Sequence, residues 1–432
     1  MKKKLFLLAS LVLTINAFAQ NVLKQVIVVN EGHYDYMTGN IDVPVSIGTY
    51  NPVNKHYTTI ENIVGSRFAT DVIIDGDYLY VAADDKIVKY NKNTFVREGV
   101  LPVFGVRKLA IWNNHLLVTR GEYGYVFTNN FQVFDKNDFS YQYELTTQNG
   151  PQYSCEGIVV HGDSAYIAVN NAFDFPNYKS IIGVVNLNAH TYVREINLGL
   201  NGTNPDYMTI AGDEIFTLNN QDYSTASISK YNVLTGVLST TALATPGGCG
   251  TSVLASTDIL YQVAGDNQLA KFNTATLVTY DTLTINKNLY GMAYDNLGSN
   301  FYAGNTDYVS YGKVFIYQTN GMLVDSFSAG VAPGNIALDY VNLTSVQEAK
   351  ENISVSVYPN PASDKLTLSL STTMKGTFTV DFTDLMGRNV AVFELNASER
   401  NHSIDISNFA AGTYIMKIQN TEINKVIKIT KE

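Results

Sequence analysis

The chain has 432 residues, with 39 Asp and Glu against 29 Lys and Arg and a net charge of −10. Such a surface repels phosphate backbones, which argues against nucleic acid as a partner. Its two cysteines, Cys155 and Cys249, leave one disulfide open in an oxidising compartment but cannot be the main scaffold.

The N-terminus places Lys2, Lys3 and Lys4 before an apolar run over residues 5–13 and the small-residue pattern Ala17-Phe18-Ala19. This is the form of a secretory signal peptide over residues 1–19, so export is expected. The run is too short to cross a bilayer, and no cysteine follows the cleavage point to carry a lipid. Without the signal the chain keeps 26 Lys and Arg against 39 Asp and Glu, a net charge of −13. No later apolar stretch is long enough for a transmembrane segment.

From there to residue 343 a short apolar strand recurs: DVIID, KLAIW, GIVVH, YMTIA, SVLAS, GMAYD and NIALD. Their second residues are Val72, Leu109, Ile158, Met208, Val253, Met292 and Ile336, at a mean spacing of 44 residues. A second landmark, an aromatic or apolar residue usually followed by Asn or Asp, falls at Tyr50, Tyr90, Phe134, Val185, Tyr231, Phe272 and Tyr317, with a mean spacing of 44.5. Between landmarks each unit reads as four short strands separated by Gly, Asn and Asp turns, without helical periodicity. Four strands at this period make a propeller blade, and seven units predict an all-β, seven-bladed β-propeller over residues 20–343. The first unit lacks its first strand and the region ends in a lone GNIALDY, so the last strand is expected to complete the first blade and close the ring.

The first strand of each blade should line the central channel. The residues just before or opening these strands would then ring its mouth: Thr70, Asp71, Arg107, Lys108, Glu156, Asp206, Tyr207, Thr251, Tyr290 and Asn335. Turns on the opposite face are minimal, as in DGD, HGD and AGD. The long loops, NEGHYDYMTGN, RGEYGYVFTNN, NNAFDFPNYKS, NNQDYSTAS and GNTDYVSYG, all belong on the mouth side. Loops longer than connection requires tend to carry function. Tyr34, Tyr36, Tyr123, Tyr125, Phe173, Phe175, Tyr178, Tyr223, Tyr308 and Tyr311 could form a platform for a flat or sugar-like ligand, or simply pack neighbouring loops. The mouth carboxylates and amides could hold a hard cation such as Ca²⁺, or pair among themselves, Arg107 with Glu156 for example.

No motif requires a cofactor. The six histidines are dispersed, and no nucleophile elbow, P-loop or dinucleotide fingerprint occurs. Propeller enzymes assemble sites from distant loops, so a hydrolase or lyase using Glu156 and Asp206 stays open as an alternative.

After a polar connector at 344–352 the rhythm changes. Seven short strands in about eighty residues read as a small Ig-like β-sandwich over 353–432. Pro359 and Pro361 should break its first strand, since neither can donate a ladder hydrogen bond. The succession YPNPASDKLTL, DLMGRNV, AGTYIMKI and the basic NKVIKITKE resembles the type A C-terminal sorting domain of the type IX secretion system of Bacteroidetes. The resemblance assigns the sorting motif to Tyr358, Pro359, Asn360, Pro361, Gly387, Gly412 and Tyr414. It implies recognition by the secretion machinery, then release of the body or its attachment to surface lipopolysaccharide.

The segments VVNEGHYDYMTGNIDVPVSIGTYNP and LGLNGTNPDYMTIAGDEIFTLNN resemble the YncE-like surface-layer propellers, including the DUF5074 group, of which one branch captures a corrinoid. This chain departs from that branch in lacking a lipid-bearing cysteine and in carrying a sorting domain. The expectation is a non-catalytic binding protein at the cell surface or outside the cell. Its ligand would be a small molecule, glycan or protein, with a lactonase-like enzyme or an adhesion scaffold as the alternatives.

Overall fold

The computed structural model describes residues 20–245, 247–343, 354–373, 376–385, 388–420 and 423–432. The expected signal peptide, the connector and Gly387 lie outside these residues, as does the side chain of Cys249. The chain divides into two compact units, one over residues 21–342 and one containing the C-terminal residues from 343 onward.

The first unit contains seven four-stranded sheets among the described residues. Blade 2 shows the pattern: Asp71–Asp75, Tyr78–Ala83, Lys86–Asn91 and Arg97–Pro102 pair in sequence order, antiparallel throughout. Blades 3 to 7 repeat it, beginning with Val106–Trp112, Cys155–His161, Pro205–Ala211, Gly247–Ala255 and Leu289–Asp295. Every predicted apolar landmark falls on such a first strand. The tight turns of DGD, HGD and AGD need a left-handed residue, which Gly76, Gly162 and Gly212 supply at φ of 55°, 56° and 58°.

Blade 1 closes the ring. Its order is Pro333–Leu343, Gln20–Asn30, Val45–Asn51, His56–Ile63, so the last strand of the unit sits beside its first. Buried Asp339 on the closing strand accepts from Gln25 Nε2 at 3.0 Å and pairs with Lys92 of blade 2 at 2.6 Å.

The core is divided among the blade seams. Ile27 and Ile47 pack with Leu79, Tyr80 with Leu109, Phe131 with Ile158, and Tyr166 with Met208. The series continues with Phe216 against Phe272, Leu260 against Phe301, and Tyr302 against Val26 and Val28. Seven seams joining seven sheets end where they began. Each fully buried side chain of this kind contributes about 1.5–3 kcal/mol, so the ring is held by packing between blades as well as by ladders within them.

Blade 1 shows one strand break at a proline and one departure from the sequence reading. The stretch NIDVPVSIGTYN is two strands, Asn40–Val43 and Val45–Asn51, because Pro44 between them has no N–H for a ladder. The segment expected as a plain loop forms a small hairpin, His33–Asp35 with Asn40–Val43.

The C-terminal unit pairs a three-stranded sheet (Val355–Tyr358, Lys365–Leu370, Asn401–Asp405) with a four-stranded one (Asn389–Asn396, Thr377–Asp384, Gly412–Gln419, Asn424–Lys431). Alternation places Leu366, Leu368 and Leu370 of the first against Phe378, Val380 and Phe382 of the second in one core. The first strand stops at Tyr358, immediately before Pro359, as expected. Asn360 then bonds to the final strand twice, Nδ2 to Lys428 O at 2.8 Å and Oδ1 from Thr430 N at 2.9 Å. Tyr414 is buried, with its hydroxyl donating to Ala410 O at 2.7 Å, and Gly412 opens its strand.

Candidate functional site at the channel mouth

The first strands all begin on one face, where they surround a cavity of about 840 Å³. Every blade contributes to its lining. The mouth residues Thr70, Asp71, Arg107, Lys108, Glu156, Asp206, Tyr207, Thr251, Tyr290 and Asn335 all line it. The long loops of blades 1, 3 and 4 add Tyr34, Tyr36, Tyr123 and Phe173. A cavity of this size falls within the about 300–1,000 Å³ usual for small-molecule sites.

Charge at the floor is partly compensated. Arg107 Nε donates to Glu156 Oε1 at 2.5 Å, which is the pairing anticipated above, and the guanidinium lies 5.1 Å from the centre of the Phe173 ring. Lys108 Nζ donates to Thr70 O. Asp71 accepts from the backbone N–H groups of Leu109 and Val72 at 2.8 and 3.0 Å, yet burial still raises its pKa above the ordinary carboxylate value. Asp206 accepts from Asn220 Nδ2 at 2.8 Å; burial, reinforced by the charge of Glu156, raises it from 3.8 to about 6. Glycine at 157 lets blades 4 and 5 approach closely here, because a Cβ at that position would lie 2.6 Å from Met208 Cβ.

Two important lining residues were not singled out in the sequence, Glu31 and Arg67. Glu31 leaves the second strand of blade 1 just below the hairpin and accepts from Tyr290 Oη at 2.7 Å; burial raises its pKa from 4.5 to about 7. Arg67 pairs with Asp84 and Glu122, both at 2.6 Å, and lies 6.0 and 5.0 Å from the rings of Tyr34 and Phe68. Their signal was weak because neither adjoins a first-strand landmark. Arg67 ends a blade-to-blade loop, and Glu31 follows a second strand.

The aromatic residues do not form one platform. Tyr125 lies outside the cavity lining, 5.0 Å from both Phe104 and Phe127. Phe175 and Tyr178 pack edge-on at 5.8 Å, and Tyr178 meets Tyr223 of the next blade at 6.1 Å, bridging two loops. Tyr308 packs edge-on against Tyr290 at 5.3 Å, and Tyr311 is 78% exposed at the head of its strand. Tyr34, Tyr36, Tyr123 and Phe173 therefore face the cavity, while the other six ornament the rim. Cys155 is a buried free thiol. Among the described residues no three His, Cys, Asp or Glu side chains converge as a metal cluster.

Residues 356–432 match the family of the secretion system C-terminal sorting domain. The C-terminal unit is thus a type IX sorting module, which marks the chain for export to the cell surface or beyond. No curated protein matches the chain. A functionally unknown protein from Desulfotomaculum acetoxidans is 13% identical over 73% of this chain and 98% of its own, at a TM-score of 0.53. The extracellular domain of BT4673 from B. thetaiotaomicron, described as a hybrid two component system, is 12% identical over 96% of this chain at a TM-score of 0.51. This chain covers 60% of that structure's length. At such identities the likeness supports the fold alone. No helix among the described residues is long and apolar enough to cross a membrane.

Proposed function

We propose that the propeller is a non-catalytic binding module that captures a small polar organic molecule with a flat ring face at the channel mouth. In this reading the signal peptide takes the chain out of the cytoplasm. The sorting module then takes it through the outer membrane, and the body is released or linked to surface lipopolysaccharide. The observation that carries the reading is the cavity itself: all seven blades converge on it, with aromatic faces at its rim and charged groups at its floor. Ring faces of Tyr34, Tyr123 and Phe173 would stack on the ligand while Arg107, Lys108 and the carboxylates fix its orientation. The resemblance to YncE-like surface-layer propellers supports a capture role and makes corrinoids and glycans the first probes.

Calorimetric titration of the signal-free chain with these probes tests the reading. Tyr123→Ala with Phe173→Ala should weaken binding at least about tenfold, the energy of one to two aromatic contacts, whereas changes in the opposite-face turns at Asp77 and Asn114 should not. Binding lost only through the opposite-face changes would sink it.

One observation favours a second reading. A carboxylate raised to about 6 beside a second one, in a cleft, is a pattern shared with acid–base sites. A lactonase-like hydrolase or lyase would then use Asp206 and Glu156. Turnover of a lactone panel, abolished by Asp206→Asn in a folded variant, would replace the binding reading.

A further inference from the structure

The described residues contain nine buried side-chain polar atoms without a hydrogen-bond partner, and five of these lie on one seam: Ser154 Oγ, Glu156 Oε2, Asn170 Nδ2, Asn204 Oδ1 and Asn220 Oδ1. Backbone bonds tie them into a single patch between blades 4 and 5. Asn170 N donates to Ser154 O, Lys179 N to Asn170 O, Asn204 N to Lys179 O, and Asn220 N to Asn204 O, at 3.1, 2.7, 2.8 and 2.9 Å. Asn220 also holds Asp206 through its Nδ2, which leaves its Oδ1 unused beside that carboxylate. Glu156 stands alongside, since a Cβ on its neighbour Gly157 would lie 2.7 Å from Asp206 O.

Three of the five are oxygens that can only accept, on side chains almost wholly removed from solvent: Glu156 is 3% exposed, Asn204 and Asn220 1% each. A buried acceptor left unmade is costly, and a carboxylate oxygen more so. Arg107 is engaged at Glu156 Oε1 and Lys108 at Thr70 O, which leaves Glu156 Oε2 unmade. Glu156 Oε2, Asn204 Oδ1 and Asn220 Oδ1 have no donor among the described residues.

We propose that this seam, which meets the cavity at Glu156 and Asp206, holds a hard oxygen-seeking cation, Ca²⁺, bound by Glu156 Oε2, the Asp206 carboxylate and Asn220 Oδ1. Glu156 offers the oxygen that its pair with Arg107 leaves unused, and Asp206 supplies a second carboxylate. Cavity water would supply the remaining oxygens of a shell of about six to eight. The absence of histidine and thiolate from the set disfavours zinc or copper. Binding on the order of 10⁻⁴–10⁻³ M is expected, as in other extracellular calcium modules. The proposal shares the Glu156 and Asp206 carboxylates with the capture reading but needs no organic ligand, and Ca²⁺ alone tests it.

The test is titration of the signal-free chain, sorting module included, with Ca²⁺ alone, followed by calorimetry, by tyrosine-sensitised Tb³⁺ luminescence and by the thermal midpoint. A saturable site and a raised midpoint, absent with Na⁺ at equal ionic strength, are expected. Asp206→Asn and Asn220→Ala should each weaken the site roughly tenfold or more, each variant's response to Ca²⁺ being read against its own midpoint in chelator. Glu156 is left intact because removing it would strand Arg107. No response to millimolar Ca²⁺ would overturn the proposal, as would a response that survives in both variants. Binding of 1,4-diaminobutane in place of Ca²⁺ at the same residues would overturn it too, and would assign the seam to an organic ammonium.

Discussion

Tyr290 of blade 7 donates a 2.7 Å hydrogen bond to Glu31 of blade 1, across the seam beside the closing strand. The carboxyl is raised from 4.5 to about 7 by burial, against the opposing influence of Tyr290, Arg107 and Lys108. A raised carboxyl means that the folded state prefers it protonated. Its stabilising contribution is therefore complete below about pH 4.5 and is lost as pH rises through about 7. The thermal midpoint should fall over this window, and Glu31→Gln should flatten the fall and exceed the parent above pH 7. Asp206, raised from 3.8 to about 6, adds a similar decline at lower pH. An unchanged slope in Glu31→Gln would contradict the assignment.

Arg107 and Glu156 are both largely buried, with side chains 19% and 3% exposed. Glu156→Ala leaves the guanidinium uncompensated and should cost about 3–5 kcal/mol in denaturant unfolding, whereas replacing both residues with apolar ones of similar volume should cost far less. A double variant as unstable as the single one would show that the pair itself is not the source.

Asp339 joins the closing strand to two other elements, Gln25 of the first strand and Lys92 of blade 2. Asp339→Ala would unsatisfy both in a buried setting and should destabilise the propeller by about 3 kcal/mol or more. Removing Pro333–Leu343 altogether should expose the edge of Gln20–Asn30 and yield a chain that self-associates in light scattering.

The blade count was legible because a propeller repeats the same four-strand order in every unit, so Val72 and its six counterparts recur about once per blade. Closure was legible for the same reason, since a ring cannot leave the first blade one strand short. The mouth ring followed from strand direction, and Thr70 through Asn335 all face the cavity. What escaped was the path of the loops. Tyr125 turns toward Phe104 and Phe127 and Tyr178 toward Tyr223, choices made by packing between blades that carry no period along the chain. Arg67 escaped likewise: its partners Asp84 and Glu122 are 17 and 55 residues away.

In the sorting module, Asn360 makes two hydrogen bonds to the last strand, to Lys428 O and from Thr430 N. Asn360→Ala should remove about 1–3 kcal/mol from that unit. The expected readout is earlier protease cleavage within residues 354–432 and a lower yield of exported protein, with the propeller's own midpoint unchanged. Wild-type protease resistance in the variant would show that the YPNP segment is not held by this side chain.

The strand that finishes blade 1 is also the last part of the ring to be synthesised, some 300 residues after its neighbour. No chain ending before Pro333 can then possess a sealed circle, and such a fragment keeps one adhesive margin however well its other sheets have formed. The recognition proposed at the mouth, where all seven sheets meet, should accordingly switch on in a single late event rather than accumulate blade by blade.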